Sequence, residues 1–162
     1  MNAAHLHIVL VHLPIVLIPT ATFLLLFALF RKQEPVASVA LWLYVGASLC
    51  SIPAFLIGEE AEEIVEDLPG ISEETLEDHE EAADVAFWLT LVVGATAASG
   101  ILLEKKAPRF LQPTLKLLVV TGAVASASLT HTAYKGGKIR HPEAYGTLAS
   151  SGHQQDGRHG DD

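Results

Sequence analysis

An all-α integral membrane fold, with four helices running up and down in one bundle, is predicted by three features of the sequence. Half of the 162 residues are hydrophobic. Charged residues make up 18%, against roughly 25% in soluble domains. The charges are also segregated, leaving four stretches almost free of them at about 8–30, 36–57, 85–103 and 110–133. A helix of about 20 mostly apolar residues crosses a bilayer, and little chain lies outside these four. A soluble bundle carries polar faces at helical spacing, whereas "TATFLLLFALF" (20–30) shows none. The chain divides into a membrane domain, 1–141, and a polar tail, 142–162.

The first span begins in "LHIVLVHLPIVLIP" (6–19). Its leading "MNAAHLH" has no Lys or Arg, and no small-residue cleavage site precedes Arg31, so it reads as a span rather than a signal peptide. Proline suits the first turn of a helix and is costly in its interior. Pro14 therefore places the helix start near His12, with the preceding residues bending across the bundle top. The second span holds Cys50, the lone cysteine, which reads as a small core residue without a disulfide partner. The loop 58–84 then carries thirteen acidic residues and no Lys or Arg. "GEEAEEIVEDL" (58–68) prolongs span two, Pro69–Gly70 makes a turn, and Ser72 caps a helix with acids in its first turn. The product is an acidic helical hairpin outside the membrane.

Spans three and four contain the small-residue runs "GATAASG" (94–100) and "TGAVASAS" (121–128). Such runs let helices approach closely or leave room for a flat cofactor. The tail after Pro142 is small, polar and Gly-rich, so it reads as irregular, with His153 and His159 solvated.

Orientation follows from the basic residues, which favour cytoplasmic loops. "RKQEP" (31–35), "EKKAPR" (104–109) and Lys116 hold six of the ten Lys and Arg. This puts both short loops inside, and the acidic loop and both termini on the outer, periplasmic side of a bacterial inner membrane. The acidic loop is a solvated face, or a docking surface for a basic soluble electron carrier.

Histidine is expensive in hydrocarbon unless it is partnered. Depth along each helix follows from a rise of about 1.5 Å per residue. Measured from the basic loops, His12 lies about 28 Å away, His7 about 36 Å, His79 about 39 Å and His131 about 33 Å. Glu59 and Glu60 fall at a similar height. Every span thus delivers a His or a carboxylate to the outer layer. At about 100° per residue, His5 and His12 share a face and His7 is about 140° away from His12. One helix face therefore cannot present both His7 and His12 to a single centre. A convergence of His12, His79 and His131 at one site is expected.

The chain resembles the bacterial membrane family called domain of unknown function 2231, over about 5–143. The resemblance rests on "LHIVLVHLPIVL" (6–17), on His79 in "DHEEAADVAFWL" (78–89), and on "THTAYKGGKIRHPE" (130–143). In the last of these, Gly136–Gly137 would allow a sharp reversal after the helix. His131 sits a turn further from the Gly pair than in the family pattern, which leaves His131 and His141 as alternatives on span four. The resemblance implies a four-helix inner-membrane fold and no settled activity.

Three functions are compatible with these residues. The first is a b-type haem held by histidines near the outer face, serving electron transfer. The ligands would come from His7, His12, His79, His131 or His141, with His12 and His79 on diagonal spans and His7 able to bond a ligand or propionate. The second is a Zn, Cu or Fe ion on His12, His79 and His131 with Glu59, Glu60 or Glu80, for sensing or transport. The third is a structural accessory subunit of a larger membrane complex, or a homo-oligomer. No nucleophile–base pair points to catalysis, and no nucleic-acid partner is expected.

Overall fold

The computed structural model describes residues 2–66, 68 and 71–140. Five α-helices make up almost all of it: α1 (Ala3–Arg31), α2 (Glu34–Leu56), α3 (Gly58–Val65), α4 (Glu73–Lys106) and α5 (Leu111–Arg140). A 3-10 turn, Pro108–Phe110, leads into α5. The chain is all-helical, and α1, α2, α4 and α5 are each long and apolar enough to cross a membrane.

α1 starts earlier than Pro14 suggested. The Asn2 side chain accepts the His5 backbone N–H at 3.0 Å, and the helix runs unbroken through Pro14 and Pro19. Each proline removes one backbone hydrogen bond. Unwinding the turn would bare several peptide groups in a medium without water, which costs more. α1 ends in a left-handed Lys32 (φ 53°), whose N–H returns to the Ala28 carbonyl. That cap, with Pro35 in the first turn of α2, reverses the chain within two residues.

α2 is followed by α3 after a break at Ile57. α3 packs against α1. The Ser72 cap forms as the sequence suggested, its Oγ accepting the Thr75 N–H at 3.4 Å. α4 has 34 residues, or about 51 Å, against a hydrocarbon core of about 30 Å. Its acidic first turns therefore project beyond the bilayer. α5 differs from expectation, because Gly136–Gly137 lie within the helix and no reversal occurs there. Lys135 pairs with Asp78 at 3.2 Å, and the His79 ring lies against Gly136. Both contacts hold the last turns of α5 to α4.

α1 packs on α2 and α5, and α4 packs on the same two. The order around the bundle is thus α1, α2, α4, α5, with α1 diagonal to α4. Short connections close one end, which carries Arg31, Lys32, Lys105, Lys106 and Arg109; α3 and the acidic turns of α4 stand at the other. The core is Ile18, Ala21 and Leu25 of α1, Leu41, Tyr44 and Ala47 of α2, Val93 and Ala97 of α4, and Leu118 and Ala125 of α5. Trp42, Trp88, Phe23 and Phe30 point outward, as lipid-facing side chains do.

The small-residue runs serve close approach rather than leaving a slot. A methyl at Gly94 would collide with the Ser48 side chain, and one at Gly122 with the Tyr44 hydroxyl and Thr22. Ser48 donates to the Thr90 carbonyl at 2.6 Å, and Tyr44 to Thr22 Oγ1 at 2.9 Å. At the levels of Gly94 and Gly122 the helices are in close contact.

Candidate functional site at the acidic end of the bundle

The inward stripe of α1 runs through Pro14, Ile18, Ala21, Leu25 and Ala28, at alternating steps of four and three. Carried back, the same stripe passes Val11 and reaches His7. His12 is one residue, about 100°, off it. His7 is accordingly half-buried, while His5 and His12 are exposed. The stripe of α4 runs back from Ala97, Val93, Thr90 and Ala86 through Ala83 to His79, which is also half-buried. On α5 it runs from Leu118, Gly122, Ala125 and Leu129 to Thr132 and Gly136, which leaves His131 exposed.

The expected meeting of His12, His79 and His131 is therefore corrected. Depth is common to all three, but two of them face away from the core. The histidines turned into the bundle at its acidic end are His7 and His79, both half-buried and on the diagonal helices. The sequence argument that His7 and His12 cannot share a centre holds; it is His7 that faces inward.

Each of these two rings is fixed through Nδ1. His7 donates Nδ1–H to the Ala54 carbonyl of α2 at 2.9 Å. His79 donates Nδ1–H to the Thr132 carbonyl of α5 at 3.1 Å. A carbonyl only accepts, so Nδ1 carries a proton, and in the neutral ring Nε2 keeps its lone pair. His12 instead turns Nδ1–H to its own helix, onto the Ile8 carbonyl at 2.5 Å.

The two arrangements repeat each other. In α1–α2 the acceptor is Ala54 and a glycine, Gly58, follows four residues later. In α4–α5 the acceptor is Thr132, and Gly136 follows four residues later. Helical side chains lean toward the N-terminus and cover the turn before them. A glycine at the fourth position thus bares the carbonyl to a donor from a neighbouring helix. The His7 and His79 rings occupy the spaces that a methyl on Gly58 or Gly136 would approach, at 3.6 Å and 2.9 Å. Ser48, Thr90 and Gly94 follow the same rule between α2 and α4. Each hairpin thus contributes one imidazole, held in the same way. Thr132 adds a bond from its hydroxyl to the Ala82 carbonyl at 2.8 Å, tying α5 to α4 beside His79.

Between the α3 region and the first turns of α4, an open cleft of about 560 Å³ is lined by Leu76 and six glutamates: Glu62, Glu66, Glu73, Glu74, Glu77 and Glu80. Partial burial, then the negative charges of Glu80, Glu66 and Glu59, push the Glu62 carboxyl above its usual range. Glu59, Glu60 and Glu80 are exposed. Among the described residues, no three His, Cys, Asp or Glu side chains stand close enough together to hold a metal ion. His141 lies outside the described residues, as do His153 and His159.

A raised carboxyl pKa has a definite sign. Between the unfolded and folded values, the folded state holds the extra proton, so acidification through that window stabilises the α3–α4 region. Above the folded value the penalty is constant. Glu62→Gln should remove this pH dependence and slow amide exchange in α3 at neutral pH, since each like-charge pair along a helix costs about 0.2–0.5 kcal/mol. Unchanged exchange in the variant would show that Glu62 bears no such penalty.

No curated protein and no solved structure shows detectable similarity to the chain. A family does: residues 3–147 match the model of DUF2231, described as a predicted membrane protein. With four apolar helices of spanning length and a match over most of its length, the chain belongs to the DUF2231 family of membrane proteins.

Proposed function

We propose that the acidic end of the bundle holds a haem b iron between Nε2 of His7 and Nε2 of His79, making the chain a b-type cytochrome-like electron-transfer protein. The supporting observation is a pair of inward imidazoles on diagonal helices, each held by a carbonyl on Nδ1 and each with a free Nε2 lone pair. Metal-bound histidines characteristically have such a partner on the other ring nitrogen. Protein-bound zinc takes at least three side chains, and no such trio gathers among the described residues. Haem iron brings its own equatorial nitrogens and needs only axial ligands from the protein. The tight contacts at Gly94 and Gly122 leave little room for a porphyrin beside them, which favours the acidic end. Iron with an imidazole on each face exchanges electrons and has no position open for oxygen.

The alternative reading is a Zn, Cu or Fe ion at His7 and His79, for which no third ligand stands close among the described residues. An absorption spectrum of detergent-purified protein, expressed with ample haem supply, decides. A sharp Soret band with split α and β bands on reduction supports haem. A colourless protein with stoichiometric metal transfers the site to the ion. Neither leaves the two His–carbonyl bonds as structural buckles, suited to an accessory subunit of a membrane complex.

In this reading the chain sits in a bacterial inner membrane with its acidic end and both termini outside, because the basic residues of the short connections favour the cytoplasm. The acidic end then faces a basic soluble electron carrier, whose association falls with added salt. In a Cys50→Ser background, Thr75→Cys should label with a membrane-impermeant thiol reagent in intact cells and Gln33→Cys should not. The reverse pattern inverts the orientation.

A further inference from the structure

Threonine in a helix normally returns its hydroxyl to the carbonyl one turn back. Thr20, Thr22, Thr96, Thr114, Thr121, Thr130 and Thr132 all do so here. Thr90 does not. It is 0% exposed, and its Oγ1 is a buried side-chain polar atom without a hydrogen-bond partner among the described residues. A rotation about one side-chain bond separates the two helical rotamers of threonine. Forgoing the local bond at a fully buried position needs a compensating partner.

The facing hydroxyls narrow what that partner can be. Ser48 Oγ donates to the Thr90 carbonyl at 2.6 Å, and Ser51 Oγ donates to the Ser48 carbonyl at 2.8 Å. Both serines are 6% exposed. Each has committed its proton and retains acceptor lone pairs. Three hydroxyls on the facing sides of α2 and α4 thus comprise one unused donor and two sets of unused acceptors. No charged side chain belongs to the group, so its guest is neutral. Fully buried Tyr44 and Val93 are neighbours on the same two helices, so the guest is small. A water molecule accepts from one group and donates to two, which matches this set.

We propose that Thr90, Ser48 and Ser51 form an internal water site between α2 and α4. The water accepts the Thr90 hydroxyl proton and donates to the serine oxygens. It joins the α1–α2 hairpin to the α4–α5 hairpin at the seam where Ser48 already bonds to the Thr90 carbonyl.

The test compares variants of the whole chain in detergent. Thr90→Val keeps the shape and removes the hydroxyl. With water bound, it should melt several degrees below wild type, and Thr90→Ser should stay closer to wild type. A Thr90→Val protein that melts at or above the wild-type temperature overturns the site, because deleting a truly unpaired hydroxyl relieves a penalty. An independent readout does not depend on stability. In a Cys50→Ser background, the thiol of Thr90→Cys should exchange S–H for S–D in deuterated buffer an order of magnitude faster than that of Ala97→Cys, deeper in the apolar core. Equal exchange at the two positions overturns the site as well.

Discussion

Gly94→Ala is expected to loosen or unfold the bundle, although alanine is the better helix former. The added methyl would strike the Ser48 side chain, which is anchored by its bond to the Thr90 carbonyl. Relief requires α2 and α4 to move apart or Ser48 to abandon that bond. Overpacking of this kind costs about 1–3 kcal/mol, against about 1 kcal/mol gained from helix propensity. Gly46 supplies the control, because a methyl there meets nothing within 4 Å. Gly46→Ala should be neutral or slightly stabilising, while Gly94→Ala lowers the melting temperature and the yield of monodisperse protein. Equal stability of the two variants would mean that α2 and α4 stand further apart than described.

The largest functional effect is expected at His7 and His79. At the proposed haem site, replacing either by Ala would remove a ligand and the bond that orients it, so each variant should lose its haem or show a shifted Soret band. His12→Ala and His131→Ala should leave the spectrum unchanged, since those rings point away from the core. Gly136→Ala should mimic a partial His79 loss by pushing the ring off its place, as the added methyl would stand 2.9 Å from Cε1. Haem that survives in His7→Ala and disappears in His12→Ala would mean that α1 is rotated by about one residue's turn. Loss of the metal from a colourless protein in His7→Ala and His79→Ala would instead assign the site to a bare ion.

The sequence made the depth of these histidines legible and left their direction hidden. Counting residues from the basic loops placed His7, His12, His79 and His131 at one end, because a helix has a fixed rise. Direction is read from which side of a helix is apolar, and a span in lipid is apolar on every side. His12 and His7 therefore looked alike on hydrophobicity. The distinguishing signal was steric: the buried positions of α1 after Pro14 are spaced four and three apart, and that spacing leads to His7. Gly58 and Gly136 carried the same information, since a glycine four residues past a carbonyl marks where a neighbour's side chain enters. Pro14 and Gly136–Gly137 misled for a related reason. Both are read as breakers from their behaviour in water, whereas hydrocarbon penalises an open backbone more than a strained helix. The Ser72 cap and the acidic turns of α4, which lie outside the bilayer, followed the rules of water and were legible.

The short connections at the basic end set how this molecule can breathe. Lys32 and Gln33 alone join α1 to α2, and Ala107 with one 3-10 turn joins α4 to α5. At the acidic end, the α2–α4 link runs through α3 and a longer stretch of chain. Each hairpin is therefore built like a pair of tongs riveted at the cytoplasmic side in the proposed orientation. A small tilt about the rivets is magnified along the arms, and His79 lies about 39 Å out along α4 from Lys105. Each imidazole sits where its own pair of arms travels furthest, and its bond to the opposite arm, His7 to Ala54 and His79 to Thr132, clamps that pair shut.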